Sequence, residues 1–286
     1  MLMTTRNTPL PLASGVPAVS ARMVSPLSTV TGDNIDTSKH VVVVADRFAP
    51  FADGDRVLTM SDLLLHVAVN SPGERGHPLV IHLGQGIDNS DRQVLEAACL
   101  RNGTPVARMA AREFPRGEQV TPDIVHKRHP ENVLLADVRH HNGEYCAADL
   151  RIHRDNELVV DHRTGEHVQG MVIIEAIRQI CIAQFETGHR RELPGIEYAG
   201  VWKSINLRFQ DFLFALPATV ASEVTFADLS RSTNLKFEAR ASVSQNGVEV
   251  AYAEIDYSMI EQDRFTSLER AKSKRARQAY LARFAG

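Results

Sequence analysis

A strongly apolar stretch of the chain carries, among its few polar residues, three whose types and spacing suit either an ion pair or a site. From Gly170 to Phe185 apolar residues cover nearly the whole circumference of a helix, which predicts burial on most sides. Glu175, Arg178 and Gln179 stand at i, i+3 and i+4, so their side chains share one stripe, with Glu186 further along it. A carboxylate and a guanidinium inside such a helix are costly unless they neutralise each other or line a solvated cleft. The run that enters the helix adds His162, His167 and Gln169, with Gly170 opening it. Glu175 and Arg178 on one face, with His162 for proton transfer, are therefore the candidate catalytic residues, and His167, Gln169, Gly170 and Gln179 are candidate substrate contacts.

The elements around this helix are long strands. Asn132 to Val138 and Glu144 to His153, joined across His141-Asn142-Gly143, predict a hairpin. After the helix come Val201 to Phe209, Ala218 to Phe226, Asn234 to Val243 and Val248 to Met259, the last two separated by Asn246-Gly247. Apolar and polar residues alternate strictly from Leu235 to Val243, the pattern of an antiparallel sheet with one wet face. Two strands, a helix apolar on all sides, then four strands is the order of an α+β hotdog fold, a long central helix wrapped by a curled antiparallel sheet. A helix lying on a flat sheet would need only one apolar face.

Upstream, residues 39–115 read as a small α/β domain. The apolar run Val41 to Ala45, a helix from Met60 to Val69 capped by Thr59 or Ser61, a strand from Leu79 to Leu83, a helix from Ser90 as cap to Arg101, and a strand from Pro105 to Met109 alternate as parallel-sheet units do. The loop Gly84-Gln85-Gly86 lacks the third glycine of a dinucleotide fingerprint and has no Gly-Lys-Ser/Thr, so its glycines are read as turn formers. His66, His77 and His82 are too scattered for a metal site, and no cofactor is expected. Residues 1–38 are rich in Ser, Thr and Pro and read as a tail, with Pro9, Pro11 and Pro17 breaking every candidate secretory core. The hotdog domain spans 120–262, after a connector at Phe114-Pro115-Arg116-Gly117, and 263–286 forms a basic helix with Leu268, Tyr280, Leu281 and Phe284 as its apolar side.

Composition limits the partners. A net charge of −3 over 286 residues exerts no general pull on nucleic acid or anionic membrane, and no apolar run is long enough to span a bilayer. Cys99, Cys146 and Cys181 are odd in number and widely spaced, as core residues of a reducing, cytoplasmic compartment would be.

Val125-His126-Lys127, Asn132-Val133-Leu134-Leu135 and Ile174-Glu175-Ala176-Ile177-Arg178-Gln179 resemble the hotdog domain of the A-factor (γ-butyrolactone) biosynthesis family. That resemblance implies transfer of a β-ketoacyl group from acyl carrier protein to a dihydroxyacetone phosphate-like acceptor, and it adds His126 to the substrate contacts. Members of the family usually carry two hotdog repeats, whereas the first part of this chain reads as α/β. His162-Arg163-Thr164-Gly165 and Gly170-Met171-Val172-Ile173-Ile174-Glu175-Ala176 are more loosely similar to β-hydroxyacyl carrier-protein dehydratases, in which a His and a helical carboxylate share acid/base work. In this chain Arg178, one turn from Glu175, would keep that carboxylate ionised, as a base or an orienter and not a proton donor. Transfer, dehydration or hydrolysis of an acyl carrier-protein or CoA thioester, and a non-catalytic acyl- or lactone-binding module, all remain open at this point. A homodimer is expected, because a single curled sheet leaves long edges unpaired.

Overall fold

Short β-branched runs build the first sheet. In the computed structural model, which describes residues 40–69, 79–104, 106–110, 119–141, 144–161 and 165–284, β1 (His40–Val44), β2 (Val57–Thr59), β3 (Leu79–Leu83) and β4 (Val106–Ala110) form a parallel sheet in the order β2-β1-β3-β4. The expected tail, the Phe114 to Gly117 connector, the Asn142-Gly143 turn, His77 and His162 lie outside the described residues. Helices α1 (Met60–Val69) and α2 (Asn89–Arg101) connect the strands. Thr59 starts α1, its hydroxyl accepting from the Asp62 N–H at 3.1 Å. Two details differ from expectation. Strand β2 is not among the expected strands, and its three residues are too few to show a period. Asp88, not Ser90, caps α2: its carboxylate accepts the Asp91 N–H at 2.9 Å while the Asp91 carboxylate accepts the Asp88 N–H at 3.0 Å, a reciprocal box. The Ser90 hydroxyl donates to Asp88 instead.

The second sheet is antiparallel and six-stranded. Strands β5 (Leu135–His141), β6 (Tyr145–Leu150), β8 (Tyr198–Phe209), β10 (Ala218–Asp228), β11 (Asn234–Gln245) and β12 (Val248–Glu261) run in the order β5-β6-β10-β11-β12-β8, so β5 and β8 are its edges. Between β6 and β8 come a one-turn helix, α3 (Glu157–Val160), a short strand β7 (His167–Val168) that pairs with β9 (Leu213–Phe214), and the central helix α4 (Gly170–Thr187). Asn246 and Gly247 both take positive φ, 54° and 77°, as a two-residue hairpin turn between right-twisted strands requires. Leu235, Phe237, Ala239, Ala241 and Val243 all point inward, as the alternation predicts. Helix α4 packs on β5, β6, β10 and β11, and every residue from Gln179 to Glu186 is buried. The mixed α+β architecture is the expected one: a long helix against a large antiparallel sheet, preceded by a small α/β part.

The two sheets meet at the loop after β3. Gly84 is required there because a Cβ would lie 2.6 Å from Val44 Cγ1 and 2.7 Å from the Ala215 carbonyl oxygen. Gln85 next to it is buried, its amide donating to the Leu150 and Leu216 carbonyls at 3.1 and 3.0 Å and accepting the Ile152 N–H at 2.8 Å. The loop is thus a polar joint as well as a turn. One apolar core runs through both sheets, from Val43 and Leu63 to Phe185 and Tyr257. At the other end, β12 passes into α5 (Gln262–Leu281) with no intervening loop, and α5 buries none of its side chains.

Candidate functional site

The polar stripe of α4 fastens the helix to the segment that precedes β5. The Glu175 carboxylate accepts from Arg178 Nε and a terminal Arg178 nitrogen at 2.8 Å each, from Lys127 Nζ at 2.8 Å and from Gln179 Nε2 at 2.9 Å. Arg178 also reaches the Val125 carbonyl at 3.0 Å, and the Gln179 amide accepts the Leu134 N–H and donates to the Asn132 carbonyl, both at 2.8 Å. Burial by itself would raise the Glu175 pKa, but Arg178, Lys127 and Gln179 outweigh it and bring it down to about 2. Glu175 is therefore a carboxylate at any ordinary pH, with each oxygen already accepting a hydrogen bond. It has no proton to donate.

Further along the stripe a second carboxylate is held more deeply. Glu186 is 2% exposed at its side chain, with Oε1 3.0 Å from His126 Nε2 and Oε2 accepting from Arg190. Burial pushes its pKa up, and the His126 and Arg190 contacts more than reverse that, so it too is ionised. His126, Lys127, Arg178, Ile182, Glu186 and Arg190, together with Asp123, Glu197 and Tyr198, line an open cleft of about 670 Å³. Asp123, Glu186 and Glu197 balance Lys127, Arg178 and Arg190 in this lining, so it makes no strong field of either sign.

The N-terminal end of α4 opens on a different cleft. His167, Val168, Gly170, Ile173 and the run Phe209 to Leu213 enclose about 470 Å³ of mainly apolar space. The His167 ring leans on Phe212 with centroids 4.8 Å apart, and a Cβ on Gly170 would stand 2.9 Å from the edge of the Phe209 ring. Gln169 is buried as the residue before the helix. The structure thus brings together Glu175, Arg178, Gln179 and His126 on one side of α4, and His167 and Gly170 at its start, lining a separate cleft, with Gln169 buried between them and outside that lining. Lys127, Glu186 and Arg190 are site residues that spacing alone did not select. Glu186 carried a signal, since it shares the stripe of Glu175, but its partner lies sixty positions upstream at His126. Among the described residues no group of three or more His, Cys, Asp or Glu is placed to hold a metal ion, and no helix is long and apolar enough to cross a membrane.

Comparison with known proteins bears on this arrangement. No curated protein sequence matches the chain. Among solved structures it is similar to the dehydratase heterocomplex ApeI:P from Xenorhabdus doucetiae (16% identity, 49% of this chain and 91% of that one, TM-score 0.41). It is also similar to a Helicobacter felis protein (11% identity, 54% and 98%, TM-score 0.36) and to a mutant thioesterase from Pseudomonas aeruginosa (11%, 49% and 85%, TM-score 0.33). The family model described as the A-factor biosynthesis hotdog domain matches residues 109–261, the whole of the antiparallel sheet, α4 and the Val125 to Leu135 segment clamped against it. Because that match spans more than half of the chain and coincides with the helix-and-sheet unit that carries both clefts, the protein belongs to the A-factor biosynthesis hotdog domain family.

Proposed function

We propose that the protein is an enzyme acting on acyl thioesters borne by acyl carrier protein or CoA, transferring the acyl group to a hydroxyl acceptor in the synthesis of a signal molecule or secondary metabolite. The observation that carries this reading is the apolar cleft at the start of α4. Its walls, Val168, Ile173, Phe209, Phe212 and Leu213, suit an acyl chain, and the first-turn N–H groups of an eighteen-residue helix are donors suited to a thioester carbonyl oxygen. The state of Glu175 speaks against a dehydration in which this carboxylate is the acid. Loss of a hydroxyl as water calls for a proton donor, and a carboxylate with a pKa of about 2 is not one. Glu175 and Arg178 act instead as orienters of the Val125 to Asn132 segment, and His167, Gln169 and Gly170 contact the acyl thioester.

The working form in this proposal is a homodimer joined through the hotdog unit. Strand β8 leaves a twelve-residue edge on which Ile205 and Phe209 are exposed, a row of unpaired backbone groups that a second copy can cover. Sedimentation at micromolar concentration should give a dimer, and a monomer would count against it. A cytoplasmic setting suits three free, buried cysteines. The test of function is incubation with 3-oxoacyl and 3-hydroxyacyl thioesters of carrier protein and CoA, with a panel of alcohols, and mass spectrometry of the products. An ester supports transfer, an enoyl thioester dehydration, and a free acid hydrolysis. Binding without turnover would make the chain an acyl-binding module.

A further inference from the structure

The net charge of −3 hides an uneven division. Residues 263–286 hold seven Lys and Arg against two Asp and Glu, a charge of +5, which leaves −8 on residues 1–262. The basic part stands clear of the acidic one. Helix α5 is tied down at its start, where the Gln262 N–H donates to the Glu197 carbonyl at 2.8 Å, Arg264 donates to the Thr233 hydroxyl at 3.1 Å, and Phe265 and Thr266 are half-buried. From Ser267 to Phe284 every residue is exposed, so neither side of the helix lies on the body. Among the described residues, the side chains of Arg270, Lys272, Lys274, Arg275, Arg277 and Arg283 make no hydrogen bond or ion pair. Such a helix is poorly supported from within. Glu269 is the one carboxylate of this stretch, and Arg270 and Lys274 repel each other at i and i+4. A helix that is polar on all sides and leans on nothing needs an outside partner to hold it.

We propose that α5 is a docking arm for double-stranded DNA, lying in the major groove with its cations on the phosphates of both backbones. The inference does not depend on the reaction at the apolar cleft. The placement of the cations carries it. Arg270, Lys274 and Arg277 at i, i+4 and i+7 make one row, and Lys272 and Arg275 make a second, about 160° away round the helix. Ser267, Ala271 and Gln278 fill the strip between the rows on one side, and Glu269, Ser273, Ala276 and Tyr280 fill it on the other. A major groove admits an α-helix and has a phosphate backbone along each side of its floor. The strip of small side chains and an amide can approach that floor, while the strip with a carboxylate and a phenol ring faces solvent.

Other partners use less of this arrangement. An acidic protein surface meets one row and leaves the other in water. A bilayer surface calls for one continuous apolar side, whereas here Tyr280, Leu281 and Phe284 are gathered at the tip and Leu268 stands apart from them. A second copy of the helix carries the same charge and repels it. The major groove of double-stranded RNA is too deep and narrow to read from within.

The test is fluorescence anisotropy of labelled duplexes with the full chain. A DNA duplex of about 12 base pairs, room for one helix, should bind with a log–log salt slope of about −5, so that Kd rises about 10³-fold between 50 and 200 mM salt. Arg270→Gln should take about one from that slope, and reversing Lys272, Lys274 and Arg275 to Glu should abolish binding, with Tm unchanged in both because the helix is exposed. Ala271→Trp should weaken binding at least about tenfold and Ala276→Trp less than about twofold, a difference that a diffuse cloud of charge would not produce. No binding at 50 mM salt, a slope shallower than about −2, or equal losses from the two tryptophans overturns the proposal. So does tighter binding to double-stranded RNA or to phosphatidylserine vesicles than to DNA. Binding of an acidic carrier protein that duplex DNA cannot displace also overturns it, and assigns the helix to that partner.

Discussion

Gln85 and Gln179 are both buried glutamines that tie distant backbone together, yet the joints they make differ in kind. Gln85 meets only backbone groups, those of Leu150, Ile152 and Leu216, and carries no charge into the joint. Gln179 meets backbone at Asn132 and Leu134 but shares its amide with Glu175, and through Glu175 with Arg178 and Lys127 beside an open cleft. A joint closed by backbone alone only fastens. One that ends in charges at a cleft wall also sets where those charges, and His126 beside them, stand.

The sharpest way to break that comparison is to replace each glutamine by leucine. Gln85→Leu would leave two carbonyls and one N–H unpaired in the interior, at roughly 1–3 kcal/mol each, so urea unfolding should show a loss of at least about 3 kcal/mol. Turnover per folded molecule should not change. Gln179→Leu should cost a similar amount and in addition lower turnover. Equal turnover losses in the two variants would erase the distinction.

Acid should discriminate the joints next. The folded pKa of Glu175, about 2, lies below the ordinary value of 4.5, so its contribution is fully present above pH 4.5 and is lost as the pH falls from 4.5 toward 2. The contribution is on the order of 3 kcal/mol by linkage. Glu186, shifted in the same direction, adds to the slope. Glu175→Gln should flatten, without abolishing, the fall in stability over that window, while Gln85→Leu should leave its shape unchanged. An unaltered acid profile in Glu175→Gln would mean that Arg178 and Lys127 do not hold the carboxylate as the geometry indicates.

Smaller effects are expected at the apolar cleft and on α5. Gly170→Ala would place a Cβ 2.9 Å from the Phe209 ring, whose half-exposed position lets it swing aside into the cleft. Stability should change by less than about 1 kcal/mol while KM for long acyl groups rises. On α5, reversing Lys272, Lys274 and Arg275 to Glu should leave stability within about 0.5 kcal/mol, since none of the helix is buried. If the helix steers an acidic carrier protein, KM for carrier-bound substrate should rise and that for a small thioester mimic should not, and added salt should narrow the difference. Equal loss with both substrates would assign the helix to folding.

Much of this organisation was legible in the residues because it is local. The alternation from Leu235 to Val243 and the Asn246-Gly247 turn specify β11, β12 and their connection, and the apolar circumference of Gly170 to Phe185 specifies a wrapped helix. The stripe of Glu175, Arg178 and Gln179 was equally plain, since helical spacing alone puts the three together. What stayed hidden depends on pairs far apart in sequence. Glu186 becomes a buried partner only when His126 is folded against it, and Gln85 reads as part of a glycine turn until Leu150 and Leu216 arrive. Strand β2 is hidden for another reason, being an edge strand defined by its parallel register with β1 and not by a pattern of its own.

The direct passage of β12 into α5 has a mechanical consequence. With no loop between Glu261 and Gln262, a pull on the helix is delivered straight to a fourteen-residue strand. That strand lies between β11 and β8 and is hydrogen-bonded to both, so a load along its axis falls on two ladders at once, in shear, instead of opening one rung after another. The helix, about 30 Å long at 1.5 Å per residue, is in effect a handle on a stiff shaft. A load on it is braced against an interior strand of the sheet and not against an edge.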